Sequence, residues 1–381
     1  MSLESRELGC ERSGRTPIYF DWNSTSPPHA SVVEDMRCVA MECWANPASV
    51  HGWGRRAKQL VESVRDLAAE CIGAHPRDLL FTSGGTEANN WALDDAPGLV
   101  VSRLEHPSIT RQAERLAGRG RPVRWVSVTG SGQVDPDSVR AALRDMPSGS
   151  VVAAMAVNHE TGIVQPIEAI GNVAHEFGAF LHVDAVQALG KLPLSRWTAW
   201  DSVAVAAHKI RGPKGVGVFA WKAPRPPPSP LMVGGGQERG LRPGTVDPVN
   251  IAGFGTALAR LGEHSASQSR LRVLRDKLET ELSDVMQCNV GPSLERLSHV
   301  ASLFAPTWPA EELVAAMDLE GVCISAGSAC SAGTSEVSQV IEAMLGTTRA
   351  HSTVRVSLGE LTTETEIDVG LEAFHRVLRR S

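Results

Sequence analysis

Lys209 follows His208 at the end of an apolar run, "DSVAVAAHK", and its position could do chemistry. A lysine at the lip of a parallel sheet is flanked by dry walls, and desolvation shifts it toward the neutral amine that Schiff-base formation needs. A solvated strand-end lysine is the plainer reading, and Lys214, in a Gly/Pro turn, shows how common such lysines are. Asp184 changes the balance. It closes another apolar run, "AFLHVDAVQ", 25 residues before Lys209, and a carboxylate there is costly unless it meets a cation. A protonated pyridine nitrogen is such a cation, and an Asp on one side of a ring that is joined to a Lys suits pyridoxal 5'-phosphate (PLP). Taken alone, an Asp that caps the next helix explains the residue equally well. Gln187, one helical turn on, is placed to reach the ring hydroxyl. In "FTSGGTEANN" a strand passes through a Ser/Gly turn into a helix beginning near Thr86. N–H groups at a helix start, with a hydroxyl beside them, suit a phosphate. Thr86 followed by Glu87 also reads as a simple helix cap, and neither the Walker nor the G-x-G-x-x-G spacing is present.

Cys330 stands in "ISAGSACSAGT", residues 324 to 334. Such a stretch supplies almost no apolar surface and has the composition of a mobile loop, so the thiol is expected to be exposed and reactive. The chain has seven cysteines, an odd number without any C-x-x-C pair, which argues against a disulfide framework or a zinc site. Cys38, Cys71 and Cys323 lie in apolar stretches and are expected to pack as small core hydrophobes.

The elements that position these residues lie mainly between residues 79 and 221. There "DLLFTSG", "GLVVSRLEH", "PVRWVSV", "GSVVAAMAVNH", "AFLHVDAVQ", "DSVAVAAHK" and "VGVFAWK" alternate with helix-like stretches. Near-continuous apolar strands separated by amphipathic helices predict an α/β protein with a mostly parallel seven-stranded sheet covered on both faces. Ligands bind at strand ends in such sheets. The proline-rich "KAPRPPPSP" at 222–230 excludes helix or central strand. Beyond it, Leu271, Leu274, Leu278, Leu282 and Val285 recur at helical spacing, which predicts an amphipathic helix, continuous with "IAGFGTALARL". These patterns divide the chain into an N-terminal extension (1–17), a large domain (18–257) and a smaller α+β domain (258–381) carrying Cys330.

The 381 residues include 37 basic and 43 acidic ones, a net charge of -6. With no long run of one sign, direct nucleic-acid binding is not expected. The longest apolar run, "VVAAMAV", falls far short of the roughly 20 residues of a membrane span. Residues 1–16 mix both charges without an apolar core, so a secretory signal is not expected and a cytoplasmic location is.

Taken in order, these motifs resemble the cysteine desulfurases of the class V aminotransferase family, fold-type-I PLP enzymes, from about residue 18 to 377. The resemblance rests on "NPASVH", "TSGGTEANN", "EHPSI", "VNHETG", "HVDAVQ", "HKIRGPKGVG", "GGGQERGLRPGT", "SAGSAC" and "RVSLGELTTETEID". It implies that Lys209 is the Schiff-base lysine, Asp184 the pyridinium partner and Gln187 the ring-hydroxyl partner. His106 would stack on the ring and assist proton transfer. Gly85, Thr86 and His208 would hold the phosphate, with Thr245 reaching in from a second subunit of a homodimer. Arg355 would clamp the substrate carboxylate, a task suited to a planar bidentate donor. Cys330 would attack the sulfur of L-cysteine, leaving L-alanine and a persulfide for a sulfur-acceptor protein.

The chain departs from the family pattern at several positions. Ala206 stands where a serine usually serves the phosphate, which predicts weaker cofactor retention. His159 stands where a second Asn is usual, near the substrate carboxylate, and a residue that titrates near neutral pH predicts an altered pH dependence. Glu360 replaces a usual Arg, and "DWNSTSPP" differs from "D-x-x-A-T-T-P". Two other readings stay open from the residues: a selenocysteine lyase or C–S β-lyase without an obligatory persulfide, and a degenerate protein-binding scaffold.

Overall fold

A computed structural model describes residues 17–327 and 337–379. The seven apolar runs form one sheet. In spatial order its strands are Leu79–Thr82, Gly217–Trp221, Ser202–Ala206, Phe180–Asp184, Val151–Met155, Leu99–Ser102 and Val123–Val126. Gly217–Trp221 alone runs against the rest, pairing antiparallel with both of its neighbours. Apart from the partly exposed edge strand Val123–Val126, the strands are buried almost throughout. Continuous burial explains why they read as unbroken apolar runs: helices cover both faces, so neither alternate set of side chains meets water.

Leu80, Val101, Ala204 and Phe219 pack against Trp91, Ile109 and Leu116 of the helices Gly85–Asp94 and Pro107–Gly118. The other face, with Phe81, Val100, Leu181 and Val203, packs under Val64, Ile170 and Phe254 of the helices Gly52–Ile72, Ile167–Glu176 and Pro248–Ala259. The register places Met155 beside Asp184, Asp184 beside Ala204, and Gly217 between Thr82 and Ala206. The carboxyl ends of the like-directed strands therefore form one rim.

A second core lies toward the C-terminus. There Thr353–Ser357, Val300–Phe304 and Gln287–Cys288 form an antiparallel sheet. The helices Leu261–Glu281, Ala310–Leu319 and Glu364–Leu378 bury Leu278, Leu313, Met317 and Phe374 against it. Leu271, Leu274 and Leu278 are buried as their spacing predicts, but the helix is not continuous with the preceding one. Arg260, at φ -101° and ψ 8°, separates Pro248–Ala259 from Leu261–Glu281.

The first described residues join the two cores. Ile18–Tyr19 pairs in parallel with Val322–Cys323, Phe20 is buried in the C-terminal core, and Asp21 bridges to Ser357 before the chain reaches the large sheet's rim. Cys38, Cys71 and Cys323 are only half-buried, whereas Cys43 is buried. Cys38 turns toward Glu34 and Arg37 on the solvent side of its helix, a side that the apolar neighbours in sequence do not reveal. No helix among the described residues is long and apolar enough to cross a membrane.

Candidate active site

Turns that follow four strands converge at the rim and enclose a cavity of about 240 Å³. Each turn begins where a strand loses its ladder partners, so the next few side chains point into the gap. Gly85 and Thr86 follow Leu79–Thr82, His159 follows Val151–Met155, Asp184 and Gln187 close Phe180–Asp184, and His208 and Lys209 close Ser202–Ala206. His106, Arg355 and the segment Asn23–Ser24 complete the lining.

Asp184 is 6% exposed at the cavity floor. One carboxylate oxygen accepts Nδ2 of Asn89 at 2.7 Å and the other accepts the backbone N–H of Val186 at 3.0 Å. The second bond is the local capping that the sequence allows; the first holds the carboxylate toward the cavity. Asn89 is itself fixed by Ser108 and by His182. Nearby Glu105 is fully buried, which pushes it up to about 8 despite the Ser102 hydroxyl that it accepts at 3.0 Å. A protonated Glu105 adds no second negative charge to the floor at neutral pH.

Lys209 Nζ donates to the carbonyls of Asn23 at 2.5 Å and Ser24 at 2.8 Å. Gln187 also donates to the Asn23 carbonyl, at 3.0 Å, and accepts Lys191 Nζ at 2.9 Å. Burial, with Lys209 and Arg355 nearby, brings Lys191 down to about 7. His208 is lowered to about 3 by burial and by Lys209, Lys214 and Lys191, so its ring is neutral.

His106 caps the helix Pro107–Gly118. Its Nδ1 accepts the backbone N–H of Ser108 at 3.1 Å, which leaves the proton of the neutral ring on Nε2. Burial lowers its affinity for a second proton. His159 meets His106 edge-on, with ring centroids 5.5 Å apart. Burial, together with His106, Arg355 and Lys209, holds His159 well below its ordinary value. The expectation that His159 titrates near neutral pH is therefore overturned: a desolvated imidazole among cations stays neutral.

Arg355 is 2% exposed. Nη1 donates to the carbonyls of His159 at 3.0 Å and Gly327 at 3.1 Å, and Nη2 pairs with Asp21 at 2.7 Å. Its Nε is buried with no hydrogen-bond partner among the described residues.

PLP fits these residues. The helix Gly85–Asp94 starts at Gly84, at φ +147°, with no side chain capping it, so its first N–H groups face the cavity end where Gly85 and Thr86 stand. That arrangement suits a phosphate. Asp184 and Lys209 supply the carboxylate and the amine elsewhere in the same cavity. Ala206 also lines the cavity and offers no hydroxyl. Thr245 is exposed and lies outside the cavity lining. Cys330 lies outside the described residues.

Asn23, Asp21 and Asn89 were not singled out from sequence. Asn23 is a hub: besides its carbonyl, its Nδ2 donates to the His159 carbonyl at 3.2 Å and its Oδ1 bonds His299 at 2.9 Å. The departure at "DWNSTSPP" was the available signal for the first two, and "TSGGTEANN" contained the third.

The sequence matches the class-V aminotransferase family over residues 18–369. It is 38% identical to a cysteine desulfurase of Cereibacter sphaeroides, with 93% of this chain and 94% of that one aligned. Among solved structures, a NifS-like protein superposes with a TM-score of 0.88 at 29% identity, covering 96% of this chain and 100% of the other. SspA in complex with cysteine superposes with a TM-score of 0.76 at 29% identity, over 91% of this chain and 100% of that one. Matched along nearly its whole length, the chain belongs to the class-V aminotransferase family, among its cysteine desulfurases.

Proposed function

We propose that the protein is a PLP-dependent cysteine desulfurase that converts L-cysteine to L-alanine and leaves the sulfur as a persulfide on Cys330. The observation that carries this reading is the joining of Asp184, Lys209, His106 and an uncapped helix start in one cavity with Arg355 on its wall. When bound, PLP supplies an electron sink for the pair released at the substrate Cα.

The chain's own groups would act as follows. Asp184, held by Asn89, keeps the pyridine nitrogen protonated. Gly85, Thr86 and His208 would hold the phosphate. Arg355 offers its buried Nε to the substrate carboxylate, while Asp21 and two carbonyls fix the guanidinium plane. Lys209 Nζ takes the Cα proton, and His106 Nε2 is placed for proton transfer beside the ring. The Cys330 thiolate attacks the substrate sulfur: a sulfur–sulfur bond forms, the Cβ–sulfur bond breaks, and its electron pair with a proton becomes the alanine methyl group. Atoms and electrons balance without an external oxidant.

The family resemblance assigns Thr245 a contact with the phosphate; because Thr245 is exposed outside this chain's own cavity lining, we read that contact as made across a homodimer. The persulfide passes to an acceptor protein in the cytoplasm. The decisive experiment incubates the protein with PLP and L-cysteine, measures alanine, and weighs the Cys330 peptide for one added sulfur. Alanine formation that persists in Cys330→Ala would replace this reading with a lyase.

A further inference from the structure

We infer that Glu160 is a positioning residue that fastens Ser338, at the start of the helix that follows Cys330 in the sequence, to the turn that presents His159. The inference rests on reading Cys330 as the nucleophile, but the contacts themselves are independent of that reading.

Glu160 is 2% exposed, and none of the steps above uses its carboxyl. Its backbone N–H donates to Asn158 Oδ1 at 2.9 Å, in the turn that also presents His159. The side-chain Oε2 accepts the hydroxyl of Ser338 at 2.5 Å. That hydroxyl accepts the N–H of Ile341 at 3.0 Å and so caps the helix Gln339–Leu345. The same carboxyl oxygen also faces Gly327, where a Cβ would lie 2.7 Å away from it. With φ at +83°, Gly327 is a position that only glycine fills without strain. The Gly327 carbonyl accepts Arg355 Nη1 at 3.1 Å, and this nitrogen also bonds the carbonyl of His159.

Gly327 and Val337 are the described residues that flank Cys330 in the sequence, and Ser338 follows Val337 directly. One buried oxygen thus bonds Ser338 and occupies the space that a side chain at residue 327 would need. Burying a carboxyl is costly, and burial raises Glu160 to about 7 against the pull of Ser338 and Arg355. Both protonation states can accept the Ser338 hydroxyl, so the attachment survives ionisation.

The test compares the holoenzyme with its Glu160→Gln, Glu160→Ala and Ser338→Ala variants by amide hydrogen exchange in residues 320–327 and 339–345. Losing this hydrogen bond should speed exchange about 10-fold in residues 339–345 for both Glu160→Ala and Ser338→Ala, while residues 320–327, tied by Arg355, stay within about 2-fold. Glu160→Gln retains an acceptor and should stay within about 2-fold of wild type. Ser338 does not line the cavity, so Ser338→Ala should lower kcat for alanine formation about 10-fold while KM stays within about 2-fold. Unchanged exchange in Ser338→Ala, or exchange in Glu160→Gln as fast as in Glu160→Ala, overturns the inference. A wild-type enzyme that forms no alanine would instead overturn the reading of Cys330, and the exchange comparison would still decide the role of Glu160.

Discussion

The turn that carries Lys209 and the residues Gly327 and Ser338, before and after Cys330 in the sequence, are held by different means. The Lys209 turn, after Ser202–Ala206, is gripped from both cores. Ser26 Oγ donates to the His208 carbonyl at 2.6 Å and accepts the Arg211 N–H at 2.8 Å. Arg211 pairs with Glu360 at 2.9 Å, and His264, which contacts the Ile210 carbonyl at 3.1 Å, meets the same carboxylate. Arg211 sits at φ +61°, a conformation that costs a non-glycine residue energy unless its surroundings determine it. Here an ion pair, a backbone hydrogen bond and Pro27's carbonyl do so. By contrast, the Gly327 carbonyl accepts one guanidinium hydrogen bond, and the Ser338 hydroxyl donates to one carboxyl oxygen. The turn that carries Lys209 is thus clamped by a cluster of charged side chains, whereas Gly327 and Ser338 each meet one side chain from another element.

Lys209→Ala should lower alanine formation about 10³-fold or more while far-UV circular dichroism stays that of wild type, because the lysine's carbonyl partners belong to an ordered segment. Residual turnover within 10-fold of wild type would deny Lys209 its role in proton transfer.

Glu360→Gln probes the clamp. Burial raises the Glu360 carboxyl, but His264 and Arg211 outweigh it and hold the group at about 2. A depressed carboxylate contributes stability above its unfolded value, near 4.5, and loses it as pH falls through the folded one. The variant should therefore be less stable by about 2–3 kcal/mol at pH 7, and the gap should narrow between about pH 4.5 and 2. Urea unfolding at pH 7, 4 and 3 reads this; a gap of constant size would place its origin elsewhere.

Ala206→Ser adds a hydroxyl to the cavity wall at a position that is 1% exposed. It should slow the loss of PLP during dialysis against inorganic phosphate about 10-fold, the worth of one hydrogen bond to a charged group. Equal loss from both proteins would mean that the phosphate does not approach residue 206. The smallest effect is expected at His159. Because burial already keeps that ring neutral, His159→Asn should shift KM for L-cysteine a few-fold and leave the shape of the kcat pH profile unchanged. A lost or displaced limb in that profile would restore His159 as a titrating group.

The large sheet was legible because its strands are buried on both faces, which writes each of them as an apolar run. Asp184 and Lys209 were legible for the same reason: each is a charged residue at the point where such a run ends. The break at Arg260 was not, because the apolar spacing continues across it while the two helices face different cores. His159 could be placed in sequence but not titrated, since its environment comes from His106, Arg355 and Lys209 on separate elements. Cys330 was read from composition and resemblance alone.

By itself, then, the sequence determined the order and type of the strands and which turns carry reactive groups, because both follow from local hydrophobic pattern. Only the tertiary structure decided the polar partners: Asn23 with Lys209, Asp21 with Arg355, Glu360 with Arg211, and Glu160 with Ser338. These pairs lie 149 to 334 residues apart in the chain. A hydrogen bond between such distant residues leaves no periodicity behind it; it exists only where packing of the two cores brings donor and acceptor within reach.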